Sequence, residues 1–265
     1  MWKIAMRVAL ISAVCLVVLR NAAAAQAPAA TNGIERSEFA LDERERSYAS
    51  EAGNAAPSHA IVSMALPSGF KPGKSWPVLV VISTSDFSRQ NSDDIPFYLA
   101  PARSEEWIVL AGDAPARPRQ DSTGWRFAMT LAAVRAMHAK FPGSEQWPVA
   151  CAGYSGGAKR AGLIAPLLAL GGCRVVGIFL TGINEDRLSS GYQQYLRGDL
   201  TFRTVPVFVS IGDRDAIATP AAQSGVMASL KRTGFSRVRS ESFLGGHVVN
   251  QGQVRAALAW FRSLF

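Results

Sequence analysis

Three residues of the types that can together perform nucleophilic catalysis follow three separate apolar stretches of this sequence. Ser155 lies in Gly153-Tyr-Ser-Gly-Gly157, Asp215 follows a later apolar stretch, and His247 follows two glycines near the end of the chain. A serine hydroxyl is a weak nucleophile until a neutral imidazole accepts its proton. The imidazole needs a carboxylate that holds its tautomer and stabilises the imidazolium. We therefore assign Ser155 as nucleophile, His247 as general base and then acid, and Asp215 as the orienting carboxylate.

The motif around Ser155 is typical of a sharp turn from a strand into a helix. Val149 to Ala152 is a short apolar stretch, and small residues open the helix that follows. In a G-x-S-x-G turn the serine backbone is strained, and the positions of Gly153 and Gly157 have no room for larger side chains. The amide dipoles of the helix point at the serine, where negative charge develops in acyl transfer. The alternative interpretation is a glycine-rich turn in some other α/β protein.

The acid and the base are assigned from their positions after predicted strands, because functional groups of open α/β sheets collect at the carboxyl ends of strands. Val205 to Ile211 is followed by Gly212-Asp-Arg-Asp-Ala216, so Asp213 rivals Asp215 as the acid. We prefer Asp215 because it lies further into the loop. Of the three histidines, only His247 follows both the serine and an acid in a strand-end loop. The simpler alternatives are turn or helix-capping aspartates and a loop histidine.

An oxyanion hole needs backbone N–H groups that face the oxygen of the tetrahedral intermediate. The residue after the nucleophile, Gly156, supplies one of them in turns of this type, and the loop after an earlier strand supplies another. The earlier strand is the β-branched run Val78 to Ile82. In the loop that follows it we name Ser85, with Thr84 and Asp86 as the nearest alternatives.

Apolar stretches alternate with helical patterns from residue 58 onward, and this alternation predicts the fold class. Strands are predicted at 60–66, 78–82, 107–111, 149–152, 174–180, 205–211 and 238–243, and helices at 95–103, 125–141, after Ser155, at 221–232 and at 254–264. This order predicts an α/β protein with a mostly parallel central sheet and helices on both faces. Only 22 residues, Ile183 to Thr204, connect the strand that ends at Gly182 to the next strand. We expect one or two short helices there, a minimal cap over an open, shallow site.

Length and composition are those of one globular domain with a large core, since 48% of the 265 residues are hydrophobic. The net charge is +8, but the basic residues are scattered and do not alternate with aromatic residues. We therefore expect no nucleic-acid partner. Cys151 lies near the end of its strand and Cys173 at the start of the next, an offset of roughly 16 Å along neighbouring strands. That offset excludes a disulfide, so we predict two buried free thiols.

The first residues have the pattern of a secretory signal peptide. Lys3 and Arg7 precede an apolar run of 12 residues, Val8 to Leu19, and small residues follow up to a predicted cleavage site after Ala25. The run is too short to span a bilayer comfortably. We expect an exported protein, periplasmic or secreted, with no stable membrane span once residues 1–25 are removed. Residues 26–57 form a polar N-terminal arm with a short helix at 44–51, and residues 58–265 the domain.

The residues above resemble the α/β-hydrolase superfamily over about 59–265, in which Ser, Asp and His follow in this order. The stretch from Leu66 to Val81, Leu-Pro-Ser-Gly-Phe-Lys-Pro-Gly-Lys-Ser-Trp-Pro-Val-Leu-Val-Val, is similar to secreted esterases of the feruloyl-esterase and polyhydroxybutyrate-depolymerase type. Dienelactone-hydrolase and prolyl-oligopeptidase-like relatives share it loosely. Such relatives usually carry His-Gly where this chain has Ser83-Thr84.

The resemblance and the triad together predict an exported serine hydrolase that cleaves a small-molecule or polymer carboxyl ester through an acyl-enzyme, with neither metal nor organic cofactor. A peptidase or thioesterase with the same triad is the alternative within enzymes. The departure at Ser83-Thr84 favours a different class, a non-catalytic binding protein of this fold.

Overall fold

The structure is a computed structural model that describes residues 33–84 and 89–265. The predicted signal peptide at 1–25 falls outside these residues, as do Ser85 and its alternative Asp86 of the predicted oxyanion hole. Within the described ranges, no helix is both long enough and apolar enough to cross a membrane.

Eight strands of the described chain form one sheet. They are β1 (Ile34–Ala40), β2 (His59–Ala65), β3 (Val78–Ile82), β4 (Ile108–Asp113), β5 (Pro148–Tyr154), β6 (Arg174–Thr181), β7 (Val207–Gly212) and β8 (Val238–Phe243). Their order in the sheet is β1-β2-β4-β3-β5-β6-β7-β8. The pairs β1–β2 and β2–β4 are antiparallel, and every other pair is parallel. The predicted mostly parallel sheet is confirmed.

Helices cover both faces of the sheet, as predicted. They are α1 (Glu43–Ala49), α2 (Ile95–Ser104), α3 (Thr123–Lys140), α4 (Gly156–Leu170), α5 (Arg187–Tyr195), α6 (Pro220–Thr233) and α7 (Gln251–Arg262). Buried side chains of α3, α4, α5 and α6 form one apolar cluster with the sheet, and those of α2 and α7 form a second. Strand β3 shows why its sequence is continuously apolar. Val80 and Ile82 enter the first cluster, whereas Leu79 and Val81 enter the second.

The described part of the N-terminal arm is built into the sheet. The predicted short helix is present as α1, where Asp42 and Glu45 form a capping box. The arm also supplies β1, which sequence analysis missed because this edge strand is mostly exposed and its side chains are largely polar. Arg135 of α3 donates hydrogen bonds to the buried Glu45 carboxylate and so attaches the arm to the helical layer.

The connection between β6 and β7 is short, as predicted, and holds α5 and a 3-10 helix at Phe202–Thr204. Helix α5 packs closely against α4. A Cβ added to Gly162 would lie 2.7 Å from the Leu188 amide nitrogen, and one added to Gly191 would lie 2.8 Å from the Gly162 oxygen. Two glycines therefore allow the backbones of α4 and α5 to touch.

Both described cysteines are free thiols, which confirms that they form no disulfide. In the β5–β6 register Cys151 pairs with Ile178, five positions beyond Cys173. Cys151 is fully buried, but Cys173 is only partly buried. Burial raises the pKa of Cys151, and it raises the pKa of Cys173 to about 11.

Candidate active site

Ser155 lies at the junction of β5 and α4 in a backbone conformation that a non-glycine residue rarely adopts, with φ 56° and ψ −121°. Its N–H donates to the Thr181 carbonyl at the end of β6, 2.9 Å away. The flanking glycines are required by space. A Cβ on Gly153 would lie 2.1 Å from the Gly157 oxygen, and a Cβ on Gly157 would lie 2.3 Å from the Ile82 oxygen. The tight turn presents the half-buried Ser155 at the carboxyl end of the interior strand β5.

The structure brings Ser155, His247 and Asp215 into one hydrogen-bonded row. The His247 Nε2 lies 2.9 Å from the Ser155 Oγ, and the His247 Nδ1 lies 2.8 Å from the Asp215 Oδ2. These distances are within hydrogen-bond reach for a nucleophile, its base and the carboxylate that orients the base. The other two histidines have different partners, since His59 pairs with Ser58 and His138 with Ser144.

Of the two aspartates considered, Asp215 is the one that pairs with His247. Its other oxygen accepts hydrogen bonds from the N–H groups of Ile217 and Ala218, both at 2.8 Å. Burial raises the pKa of Asp215. The hydrogen bonds from His247 and from the two backbone N–H groups lower it by more, so the net shift is downward. The carboxyl is thus kept ionised beside the imidazole. Asp213 instead accepts the Gly245 N–H at 2.9 Å and braces the loop that carries His247.

The loop that carries His247 must cross two strands, because His247 follows β8 whereas Ser155 follows β5. The loop can pass this close to the sheet because two of the residues that it contacts are glycines. A Cβ on Gly212, at the end of β7, would lie 2.4 Å from the Gly246 oxygen. A Cβ on Gly182, just past β6, would lie 2.8 Å from the His247 Cε1. Sequence analysis used both glycines only to mark strand ends and missed this role.

Tyr154 contacts the end of that loop. Its hydroxyl donates to the His247 carbonyl at 2.5 Å, and its ring centroid lies 4.9 Å from that of the imidazole. Burial raises the pKa of the Tyr154 phenol, and the negative charge of Asp215 raises it further, so the phenol keeps the proton that it donates. Sequence analysis assigned Tyr154 no role beyond its place in the motif around Ser155.

The predicted oxyanion hole is described in part. Gly156 opens α4, and the N–H groups of a helix's first turn have no acceptor within the helix. Thr84 lies against Gly156, since a Cβ on Gly156 would come within 2.3 Å of the Thr84 Oγ1. Thr84, one of the alternatives to Ser85, therefore lies next to Gly156.

The loop after β3 is held at both ends by buried polar groups. The Ser83 N–H donates to the Asn91 Oδ1 at 2.9 Å, and the Asn91 side chain donates to the Gly112 carbonyl at 2.8 Å. Arg126 of α3 reaches the same loop and donates to the Thr84 carbonyl at 3.3 Å and to the Arg89 carbonyl at 2.8 Å. The backbone around the predicted oxyanion loop is therefore positioned by side chains from elsewhere in the chain.

A buried carboxylate holds two arginines beside this loop. Asp121, whose side chain is 3% exposed, lies 2.8 Å from an Arg126 nitrogen and 3.1 Å from an Arg160 nitrogen. Arg160 comes from α4 and also donates to the Asp121 and Ser122 carbonyls. Burial lowers the pKa of Arg160 to about 10, with the Asp121 charge acting in the opposite direction. This ion network joins α3 to the helix that follows the candidate nucleophile.

No cluster of three or more His, Cys, Asp or Glu side chains able to hold a metal ion occurs in residues 33–84 and 89–265. The side chains that the candidate site places in series are a hydroxyl, an imidazole and a carboxylate.

Comparison with known proteins bears on the fold. No protein-family model matches the chain, and no curated protein matches its sequence. Many solved structures do match, among them a thermostable esterase with 12% identity and a TM-score of 0.59. The match covers 88% of this chain but only 64% of the esterase.

Two further structures match over nearly their whole length. A substrate-bound, fluorophosphonate-binding serine hydrolase of Staphylococcus aureus has 12% identity and a TM-score of 0.59, with 86% of this chain and 97% of that one covered. An α/β serine hydrolase without lid from Xanthomonas campestris has 14% identity and a TM-score of 0.55, with 87% and 94% covered.

The fold follows from the sheet order, from the strand-to-helix turn at Ser155 and from these matches. The chain has the α/β-hydrolase fold.

Proposed function

We propose that this protein is an exported serine hydrolase that cleaves a carboxyl ester through an acyl-enzyme intermediate. The observation that carries the proposal is the row from Ser155 through His247 to Asp215, with hydrogen-bond distances of 2.9 and 2.8 Å. Each of the three comes from a different strand end, and the serine is presented by a strained turn. Strained backbone at a reactive side chain is typical of a functional site.

The first half of the reaction forms the acyl-enzyme. The His247 Nε2 accepts the proton of Ser155 while the Oγ bonds to the ester carbonyl carbon, and the carbonyl π electrons move to the oxygen. The Gly156 N–H and a second donor from the loop after β3 stabilise that negative oxygen. When the intermediate collapses, the bond to the alcohol oxygen breaks, and the imidazolium returns its proton to this leaving group.

The second half uses the same groups with water. The His247 imidazole accepts a proton from water, the hydroxyl adds to the acyl carbon, and collapse breaks the bond to the Ser155 Oγ, which recovers its proton from His247. In both halves the ionised Asp215 holds the Nδ1 proton and stabilises the positive imidazolium. The downward shift of the Asp215 pKa supports this role, because it arises from hydrogen bonds, that from His247 included, which stabilise the charged carboxylate.

For the substrate, we propose a small-molecule or polymer ester of the kind suggested by the resemblance to feruloyl esterases and polyhydroxybutyrate depolymerases. The short connection that holds α5 supports an open site with room for a bulky ester. A panel of short and long acyl esters, aryl esters, thioesters and aminoacyl amides tests this choice. Faster turnover of amides or thioesters than of matched esters would favour a peptidase or thioesterase instead.

Fluorophosphonate labelling of the mature protein, located by peptide mass spectrometry, tests the reaction class. We expect an adduct on Ser155 that is absent in Ser155→Ala and strongly reduced in His247→Ala. Ser224→Ala, which removes an exposed hydroxyl from α6, is the matched control and should label normally. If the folded protein takes no adduct at Ser155, the enzyme proposal fails and a binding role becomes the better account.

Export is proposed from the signal pattern at residues 1–25. Intact-mass measurement of the protein recovered from the periplasm and the medium should give a chain that begins at Gln26. A cytoplasmic, full-length product would contradict it.

A further inference from the structure

The loop from β8 to α7 has to hold His247 at a fixed distance from Ser155 although the two residues belong to strands that are three places apart in the sheet. Within the loop, the Asp213 carboxylate fixes the Gly245 N–H, and the Gly245 carbonyl accepts the Arg214 N–H at 2.9 Å. Both contacts lie on the β7 side of the crossing. Neither contact reaches the backbone of His247 at the far end of the loop.

That end of the loop is held by Tyr154. The phenol donates a hydrogen bond to the His247 carbonyl at 2.5 Å, so it binds the backbone of the histidine itself. Tyr154 is the last residue of β5 and is bonded directly to Ser155. One peptide unit and one hydrogen bond therefore connect the nucleophile to the backbone of its base.

The ring of Tyr154 also packs against the imidazole, at an interplanar angle of 43°. The two ring centroids are 4.9 Å apart, and Phe97 backs the tyrosine ring edge-on at 6.1 Å. A Cβ on Gly182 would lie 2.8 Å from the His247 Cε1 and 3.2 Å from the Tyr154 Cε2. Gly182 and Tyr154 therefore both lie in close contact with the imidazole.

We infer that Tyr154 is a positioning residue of the candidate triad, whose phenol anchors His247 against the strand that carries Ser155. The inference rests on the proposed function, because it assigns Tyr154 a part in the proton transfer between Ser155 and His247. Tyr154 does not exchange a proton itself. It acts by keeping the His247 Nε2 within hydrogen-bond distance of the Ser155 Oγ, and proton transfer depends steeply on that distance.

Tyr154→Phe removes the phenol hydroxyl and keeps the ring. We expect kcat for p-nitrophenyl butyrate to fall about tenfold, the upper range for one lost neutral hydrogen bond, with KM changed less than twofold. The rate of fluorophosphonate labelling should fall by the same factor. Tyr98→Phe is the matched control, because the buried Tyr98 hydroxyl has no hydrogen-bond partner among the described residues. That variant should keep wild-type kcat.

A second measurement separates positioning from general destabilisation. If Tyr154 acts only through the imidazole, Tyr154→Phe should cause no further loss of the residual hydrolysis by His247→Ala. An equal loss in both backgrounds would overturn the inference, as would equal kcat for Tyr154→Phe and Tyr98→Phe.

Hydrogen exchange tests the anchor without any catalysis. Peptides that cover residues 244–250 should exchange faster in Tyr154→Phe than in Tyr98→Phe or wild type. Unchanged exchange would refute the anchor even in an active enzyme. If wild-type protein neither labels nor hydrolyses esters, the proposed function fails, and the exchange data still decide whether Tyr154 holds the loop.

Discussion

Gly212→Ala is the substitution that best tests how the histidine loop reaches the nucleophile. Gly212 ends β7 with an ordinary backbone conformation, so alanine there meets no backbone strain of its own. The obstacle is space. The new Cβ would lie 2.4 Å from the Gly246 oxygen and 2.8 Å from the Gly245 oxygen. Both are backbone atoms, which cannot rotate away as a flexible side chain can.

The size of the effect follows from this overlap. Non-bonded carbon and oxygen atoms settle at roughly 3.3 Å or more, so the backbone at Gly246 must retreat by about 1 Å. His247 is the next residue and moves with it. A misplacement of about 1 Å at a reacting group costs about a hundredfold in rate, or close to 2.7 kcal/mol of activation free energy. Overpacking should also lower the free energy of unfolding by about 1–3 kcal/mol.

The assay compares kcat for p-nitrophenyl butyrate and the rate of fluorophosphonate labelling at 25 °C, well below the measured Tm of each variant. Gly225→Ala is the matched control. Gly225 lies inside α6, and an added Cβ there has no atom within 4 Å. Alanine at an open helix position should stabilise the protein by about 0.5–1 kcal/mol and leave kcat unchanged.

Gly212→Ala with kcat within threefold of wild type and an unchanged Tm would refute the reasoning. It would mean that the loop can shift at Gly246 and still deliver the imidazole to Ser155.

Three further predictions concern the acid, the thiols and the buried ion network. Asp215→Asn should lower kcat about 10³–10⁴-fold, because the amide cannot hold the same tautomer of His247. Asp213→Asn should cost about tenfold or less, because the asparagine amide oxygen can still accept the Gly245 N–H and only the charge is lost. Steady-state kinetics decides, and equal losses would contradict the assignment of Asp215 as the acid. Cys173, whose pKa is raised to about 11, should react with a disulfide reagent at pH 8 about a hundredfold more slowly than an ordinary thiol, since only roughly 0.1% is thiolate, and its rate should still be rising with pH above 9. Asp121→Ala should lower the free energy of unfolding in denaturant by about 3 kcal/mol, because it leaves two buried guanidinium groups without their shared carboxylate; a loss below 1 kcal/mol would contradict this.

The sequence alone determined the features of this protein that depend on neighbours along the chain. Continuous β-branched runs such as Val78–Ile82 mark strands buried on both faces, and their alternation with helical patterns predicts the parallel sheet. The turn at Ser155 is readable because its glycine requirement lies within two residues of the serine. The loop position of His247 is readable from two adjacent glycines after a strand. Each signal is local, so a single stretch contains all of it.

Only the tertiary structure decided the features that depend on contacts between distant segments. Whether Asp213 or Asp215 faces His247 depends on the direction of each side chain after β7, which the spacing of two residues does not encode. The hydrogen bond from Tyr154 to the His247 carbonyl and the close approach of Gly212 to Gly246 are contacts between residues that are dozens of positions apart. The edge strand β1 was likewise not predictable from the sequence, because an edge strand buries little apolar surface. It is held in place by backbone hydrogen bonds to β2. Such contacts exist only once the sheet has assembled, because they depend both on the order of the strands and on the direction of each side chain.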